Sequence, residues 1–200
     1  MAVVDADLNF IYVDVGTNGR MSDGCVWGKC GFSSTLANNT LYIPDVQALA
    51  GRETKVPYVL IADEAFGLKP YLMKPFPRGQ LNLESQIFNY RLSRARRCIE
   101  NAFGILAARW RVFRKAIGLQ KIIRLAACTL HNFQRSTPAA RNVCSPPGSI
   151  DIDDLGTGQV IAGAWRNKTV VQPMSSLGGN RCNHADKNFF ISPAALLAGS

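Results

Sequence analysis

The longest regular pattern of apolar positions runs from Glu84 to about Trp110. Apolar residues recur there at spacings of three and four, which is the pattern of a helix with one buried face. The members of this stripe are Leu92, Ala95, Ile99, Ala102, Leu106 and Trp110. Polar positions, among them Arg96, Arg97 and Glu100, fall on a flank beside the stripe, so the pattern predicts a helix with Glu100 at the border of the buried face.

Shorter patterns predict the elements around this helix. Residues 2–6 and 10–15 read as two strands joined by a polar turn, and the continuously apolar run 56–62 reads as a buried strand. Ser22 is a candidate cap for a helix over 23–30, with a weaker helix at 33–37. Residues 67–83 are rich in proline and glycine and are predicted to be a loop, 111–113 a short strand, and 121–134 a second amphipathic helix.

The organisation of the chain follows from these patterns. Residues 1–135 carry the predicted elements and form one domain, whereas 136–200 are rich in Pro, Gly, Ser and Asn and are predicted to be an irregular tail. A hydrophobic content of 47% with 18% charged residues is typical of a globular chain rather than a disordered one.

The distribution of charge along the chain is more informative about function than the overall composition. The chain carries a net charge of +9, and the segment from Arg78 to Arg124 alone holds eleven Arg or Lys against two acids. Nine of these eleven residues are Arg, whose guanidinium groups suit phosphate oxygens. A polyanionic partner is the leading interpretation, and a solvated helix face that keeps the protein soluble is the alternative.

Several classes of site are excluded or disfavoured. The six cysteines form no CxxC pair and the chain has two histidines, so the spacing of zinc ligands is absent. Free thiols in a reducing compartment are therefore expected. The first residues lack a basic start and contain acids, so we expect no secretory leader, and no apolar stretch reaches the length of a membrane span.

Asp63 and Glu100 are the candidate catalytic residues. Asp63 ends the predicted strand 56–62, and Glu100 lies on the arginine-rich helix. A carboxylate at a strand end and another on a helix are how nucleases supply part of a two-metal site, because Mg²⁺ prefers oxygen ligands. The alternatives are a turn-capping role for Asp63 and a surface ion pair of Glu100 with Arg96 or Arg97.

Two neighbouring candidates are weaker. The side chain of Glu64 points away from that of Asp63 on an extended backbone, so Glu64 is a poor ligand. His131 lies near the apolar face of the second helix, where a packing role is favoured over a catalytic one.

Several ordered motifs resemble the DDE domain of PIF/Harbinger-type transposases and the domesticated nucleases derived from them. They span most of residues 2–135 and occur in the family's order. The motifs are residues 12–16 (YVDVG), 19–24 (GRMSDG), 62–66 (ADEAF), 69–75 (KPYLMKP), 88–97 (FNYRLSRARR), 99–106 (IENAFGIL) and 130–133 (LHNF).

The resemblance implies a specific fold and activity. It implies an α/β fold with an RNase H-like mixed sheet flanked by helices, and Mg²⁺- or Mn²⁺-dependent cleavage of DNA. By motif, Asp63 matches the family's second catalytic aspartate and Glu100 its glutamate, both of which bind metal. We choose Arg94, Arg96 and Arg97 as contacts to the nucleic-acid backbone. Nuclear localisation, with the cytoplasm as alternative, and a Myb-like DNA-binding partner are further implications.

One family feature is missing from these residues. The first catalytic aspartate, on the first and central strand, has no matching motif, and Asp5, Asp7, Asp14 and Asp23 are substitutes only in being acidic. We therefore expect an N-terminally truncated domain that lacks its central strand. The exposed neighbours then pair with one another, bind a strand from a partner chain, or leave a fragment that folds poorly.

Two functions remain open at this point. The first is a transposase-derived, divalent-metal-dependent DNA endonuclease that is incomplete in this chain. The second is a catalytically inactive remnant of a domesticated transposase that binds DNA or protein.

Overall fold

The protein has a mixed α/β fold in its computed structural model, which describes residues 1–16, 23–48, 51, 53–77, 79, 81–114, 120–154, 156–168 and 188–192. The elements of the first half are β1 (Ala2–Val4), β2 (Phe10–Val13), α1 (Asp23–Lys29), α2 (Gly31–Ala37), β3 (Gln47–Ala48), β4 (Lys55–Val56), β5 (Val59–Ile61) and β6 (Leu72–Met73). Those of the second half are α3 (Leu83–Arg109), a 3-10 helix (Arg111–Arg114), α4 (Lys121–Arg135), α5 (Pro138–Cys144), β7 (Ile152–Asp153), β8 (Val160–Ile161), α6 (Trp165–Lys168) and β9 (Asn188–Ser192).

The main sheet has the strand order β2-β1-β9-β5-β6. Strands β1 and β2 form an antiparallel hairpin, and β5 and β6 are parallel. Residues of β1 alternate between the two faces of the sheet, because Val4 packs with the cluster of α3 and α4 whereas Val3 packs with the cluster of α2. Helices therefore cover both faces, and the sheet is the middle layer.

Helix α3 is the longest element and begins where Asn82 accepts a hydrogen bond from the backbone N–H of Ser85 at 2.8 Å. Its predicted apolar stripe is buried, with exposures of 1% for Leu92, 1% for Ile99 and 0% for Ala102. This stripe packs with residues of β1, β2, β5 and α4. The helix thus joins the sheet to the rest of the fold.

The central position of the sheet is held by a strand from the far end of the chain. Strand β9 pairs with β1 in parallel and with β5 in antiparallel fashion, so its backbone links the two halves of the sheet. The sequence left three outcomes open for the unpaired neighbours, and the structure shows a fourth, in which the chain's own residues 188–192 fill the position.

The main sequence predictions of secondary structure are confirmed, and a few are wrong. Helices α1, α3 and α4 and strands β1 and β2 lie where their patterns placed them, while Ser22 lies outside the described residues. The predicted strand 56–62 is split into β4 and β5 at Pro57, which has no N–H for a ladder. Residues 111–114 form a 3-10 helix rather than a strand, because Phe113 N–H bonds Trp110 O at 3.0 Å in a reversal after α3.

The segment predicted to be an irregular tail contains helices α5 and α6, the hairpin of β7 and β8, and strand β9. Of the helices in the described ranges, none combines the length and apolar character that crossing a bilayer requires.

A proline in β9 tests its central place in the sheet. Phe190 pairs with Val4 on one side and Ile61 on the other. We expect Phe190→Pro to destabilise the protein by about 3 kcal/mol or more and to promote aggregation, because a central strand loses a ladder hydrogen bond. Phe190→Val, which keeps the N–H, is the control, and urea unfolding gives the free energies. Equal stability of the two variants would place β9 outside the cooperative sheet.

Candidate functional site

Asp63 lies directly after β5, and its side chain is mostly buried, with 8% exposure. Its Oδ1 accepts a hydrogen bond from the backbone N–H of Ala65 at 3.0 Å, which fixes the carboxylate in the turn. The turn-capping role considered from the sequence is therefore present. Its other oxygen, Oδ2, lies 3.9 Å from Nη2 of Arg96 on helix α3.

Arg96 lies near both predicted catalytic acids in different ways. It approaches Asp63 on one side, and it precedes Glu100 by one turn of α3, so the two residues share a helix face. The structure places Asp63 beside Arg96, whereas Glu100, one helical turn further on, pairs with Arg166. The Nε atom of Arg96 is buried and has no hydrogen-bond partner among the described residues.

Glu100 is more exposed than Asp63, with 47% of its side chain accessible. Its Oε2 lies 3.4 Å from Nη2 of Arg166 in helix α6. Arg166 also binds Asp151, with Nε at 2.9 Å from Oδ1. The alternative considered from the sequence paired Glu100 with Arg96 or Arg97, whereas its partner in the structure, Arg166, comes from the C-terminal part of the chain.

Arg94 and Arg97 have a different environment from Arg96. Arg94 Nε donates to Oδ2 of Asp153 at 2.9 Å, and Arg97 Nη1 donates to Oδ1 of the same carboxylate. Partial burial alone raises the pKa of Asp153, but the hydrogen bonds from Arg97 and Arg94 outweigh it and hold that pKa below the ordinary value.

The three arginines chosen as backbone contacts therefore divide between two faces of α3. At about 100° per residue, Arg94 lies about 160° around the helix from Arg96, and Arg97 about 100° from it. Of the other basic residues in this part of the sequence, Arg78, Lys115 and the side chains of Arg111 and Arg114 lie outside the described residues.

The donor set was tested against the divalent metal that the resemblance implies. Asp63 and Glu100 offer the carboxylate oxygens that Mg²⁺ and Mn²⁺ prefer. Among the described residues, however, no group of three His, Cys, Asp or Glu side chains is gathered, and an arginine stands beside Asp63. The residues present do not by themselves fit a two-metal centre.

Of the four acids considered as substitutes for the missing aspartate, Asp5 and Asp7 have structural roles. The two carboxylate oxygens of Asp5 accept hydrogen bonds from the backbone N–H and the side-chain amide of Asn9, at 2.8 and 3.1 Å, and so close the β1–β2 turn. Asp7 pairs with Arg141 at 3.3 Å. The side chain of Asp23 lies outside the described part of the chain.

His131 is a core histidine, which confirms the packing role favoured from the sequence. It is 1% exposed, its Nε2 is 2.8 Å from the carbonyl oxygen of Leu8, and its ring meets Phe10 edge-on at a centroid distance of 5.0 Å. Burial lowers its pKa from 6.5 to about 4, so the ring is neutral at physiological pH.

Sequence reasoning missed the residues that attach the C-terminal part of the chain to α3. Asn101 is 5% exposed and bonds the backbone of Asp151 in both directions, accepting at 2.9 Å and donating at 3.2 Å. Its Oδ1 also accepts from the indole N–H of Trp165 at 3.0 Å. One indication of this contact was present in the sequence: Asn101 is a polar residue next to Ala102, at a position that belongs to the buried side of the helix.

The comparisons with known proteins agree with this arrangement of motifs. The family model described as DDE superfamily endonuclease matches residues 1–132. The chain therefore belongs to the DDE superfamily endonucleases, and the resemblance drawn from the motifs is confirmed.

A curated relative adds detail. The chain is 29% identical over 136 residues to Protein ALP1-like of Arabidopsis thaliana, a match that covers 66% of this chain and 33% of that protein. The chain thus spans about a third of the length of the curated relative it matches. No solved structure matches the chain.

The buried histidine predicts a pH dependence of stability. Because the pKa of His131 is about 4 in the folded state and 6.5 is its ordinary value, the unfolded chain binds the extra proton between these values. We expect the free energy of unfolding to fall by about 2–3 kcal/mol as pH decreases from 6.5 to 4. Urea titrations at several pH values measure it. His131→Asn should reduce the dependence of the free energy of unfolding on pH, and His184→Asn should leave that dependence unchanged. If only His184→Asn reduced it, the prediction of a buried, neutral His131 would be wrong.

Proposed function

We propose that this chain is a transposase-derived endonuclease domain that acts on DNA, with Asp63 and Glu100 as two of its catalytic carboxylates. Membership of the DDE superfamily endonucleases supports the reaction class. The finer fold assignment, an RNase H-like sheet flanked by helices, is part of the proposal. It is supported by a mixed sheet with helices on both faces.

The observation that carries the proposal is the position of Arg96, which lies beside Asp63 and one helical turn before Glu100. Its guanidinium lies 3.9 Å from Asp63 and one helical turn from Glu100, and its buried Nε has no acceptor among the described residues. A phosphate oxygen is the acceptor that such a donor suits, since arginine hydrogen bonds to phosphate are charge-assisted. Arg96 would then hold the backbone phosphate next to the carboxylates.

The chemistry requires more than these residues supply. In the proposed reaction a divalent ion, Mg²⁺ or Mn²⁺, would supply an activated water and neutralise charge on the phosphate. Asp63 and Glu100 have the right oxygen donors for such an ion, but a third carboxylate is needed to bridge two ions. The role proposed for the 200 residues is thus to bind and orient the DNA backbone at an incomplete set of acids.

A second function is a DNA- or protein-binding remnant without catalysis. The ion pair of Glu100 with Arg166 favours it, because a catalytic carboxylate that is held by an arginine has lost part of its capacity to bind a metal. The endonuclease and the DNA-binding form of the remnant both place nucleic acid on the basic helix.

The biological setting is proposed from the resemblance. A nuclear location, with the cytoplasm as alternative, and a Myb-like DNA-binding partner accompany a transposase-derived nuclease. We also propose the division of the chain at residue 135 into the nuclease-type domain and the C-terminal region, in keeping with a family match that ends at residue 132.

A cleavage assay separates the two functions. We expect the 200-residue chain alone to cleave little or no plasmid DNA with Mg²⁺ or Mn²⁺, because two carboxylates do not complete a two-metal site. A version extended by an upstream strand that carries an aspartate should gain activity, and Asp63→Ala should abolish that gain. Strong cleavage by the unmodified chain that disappears in Asp63→Ala would show that another acid already completes the site. Failure of both versions favours the binding remnant.

DNA binding tests the role of Arg96 directly. Arg96→Gln should weaken binding to a short duplex about equally for different sequences and lower the salt slope by about 1, as expected for one lost phosphate contact. Arg109→Gln, at the exposed end of the same helix, carries the same charge change and is the control. Fluorescence anisotropy at several salt concentrations measures both. If both variants lost the same DNA affinity, the change in net charge alone would explain the effect, and Arg96 would have no specific role.

A further inference from the structure

Arg94 and Arg97 hold one carboxylate between them, in an arrangement suited to a doubly bonded anion. Each oxygen of Asp153 accepts from a different guanidinium. The side chains are 33%, 13% and 15% exposed for Arg94, Arg97 and Asp153, so the group is largely shielded from solvent. Asp153 is thus a singly charged anion whose two oxygens are each held by one arginine.

A cavity of about 250 Å³ adjoins this group. At about 30 Å³ per water molecule, it has room for a phosphate group and its substituents. Arg94, Arg97 and Asn101 line it from α3 and Arg135 lines it from α4, and the acids Asp7, Asp151 and Asp153 line it as well. Arg135 is 4% exposed, and its guanidinium donates to the Asp7 carbonyl at 2.9 Å and to Ser145 Oγ at 2.7 Å, which places a third buried cation at the cavity wall.

Asp153 belongs to a stretch that docks on α3 and is complementary to it in charge. We call residues 146–154 and 156–168 the docked segment. It places Asp153 on the arginines of α3 and Arg166 on Glu100. Three of the charged groups that the sequence suggested for nucleic-acid chemistry, Arg94, Arg97 and Glu100, are thus met by an opposite charge from the segment.

The packing of the docked segment on α3 requires a small residue at position 104. Trp165 lies against Gly104 of α3, where an added Cβ would be 2.2 Å from Cδ2 of the indole. Asn101 holds the backbone of Asp151 and the indole N–H beside it. The contact is therefore specific in shape, and a single methyl group at residue 104 is enough to disturb it.

We propose that Arg94 and Arg97 form a phosphate-binding subsite for the nucleic-acid backbone and that Asp153 of the docked segment occupies this subsite in place of a phosphate. A phosphodiester presents two non-bridging oxygens, as a carboxylate does, and it competes for the same donors. Backbone binding at this face then requires the docked segment to leave. The identity of the ligand as DNA rests on the proposed function, and the subsite itself rests on the arginines and the cavity.

The test compares two variants that each remove one negative charge. Asp153→Asn weakens the hold on both arginines, whereas Asp154→Asn changes a residue whose oxygens bond Gly156 N–H at 2.9 Å and Thr157 Oγ at 2.7 Å within its own turn. With a short DNA duplex in anisotropy titrations, we expect Asp153→Asn to bind about tenfold more tightly than Asp154→Asn. Its salt slope should also be steeper by about 2, one for each released arginine. Adding Arg94→Gln and Arg97→Gln to Asp153→Asn should remove the gain.

A third variant displaces the docked segment without changing charge. Gly104→Ala should unseat Trp165, while alanine favours the helix itself. Faster hydrogen exchange of the Asp151 amide, which bonds Asn101, reports the displacement. We expect Gly104→Ala to increase DNA affinity as Asp153→Asn does. If Asp153→Asn does not fold, Gly104→Ala still tests whether the docked segment occupies the subsite.

The outcomes distinguish the subsite from the proposed function, with pyrophosphate as a second probe in calorimetry. If the unmodified chain binds DNA but Asp153→Asn and Gly104→Ala bind no better than Asp154→Asn, the Asp153 contact is a structural ion pair and the subsite is refuted. If Asp153→Asn gains pyrophosphate binding but no variant binds DNA, the subsite stands and the DNA function falls. If Asp153→Asn gains affinity for neither probe, the inference is overturned.

Discussion

The burial of one apolar stripe of α3 against the sheet is the interaction on which the rest of this structure depends. Leu92, Ile99 and Leu106 are each 3% exposed or less. Burial of such side chains contributes about 1.5–3 kcal/mol each, so a rotation of the helix that exposes them is strongly disfavoured. Because the stripe fixes the rotation of α3, it also fixes where the two polar flanks point. Arg96 faces Asp63 at the end of β5, and Arg94, Arg97 and Glu100 contact the docked segment.

Electrostatics is secondary to this packing but decides which groups are available. Asp153 is held by two arginines and Arg166 by two acids, and removal of one partner from such partly buried pairs leaves an uncompensated charge. Arg96 differs, because its contact with Asp63 is long and its Nε has no partner among the described residues. On physical grounds Arg96 is the arginine of the three that is ready for an anion, whereas the other two must first be released.

The sheet shows how the two ends of the chain depend on each other. Strands β1 and β5 each need a neighbour, because unpaired backbone groups at the middle of a sheet carry a high free-energy cost. Strand β9 supplies that neighbour on both sides. It runs parallel to β1 and antiparallel to β5, and its sequence, residues 188–192 (NFFIS), has the aromatic and β-branched character typical of a strand.

The sequence alone determined the elements with long or alternating patterns, the basic character of α3, the family, and the packing role of His131, since each of these follows from local periodicity or ordered motifs. It did not determine where the polar side chains of α3 find partners. Asp153 and Arg166 are more than fifty residues away from the groups they bind, and Asn101 and Gly104 acquire their roles only when Trp165 packs on them. Strand β9 escaped prediction because five residues in a polar stretch become a strand only between two neighbours that need one. Such long-range pairings are decided by tertiary packing, because no local pattern records which distant segment fits a given face.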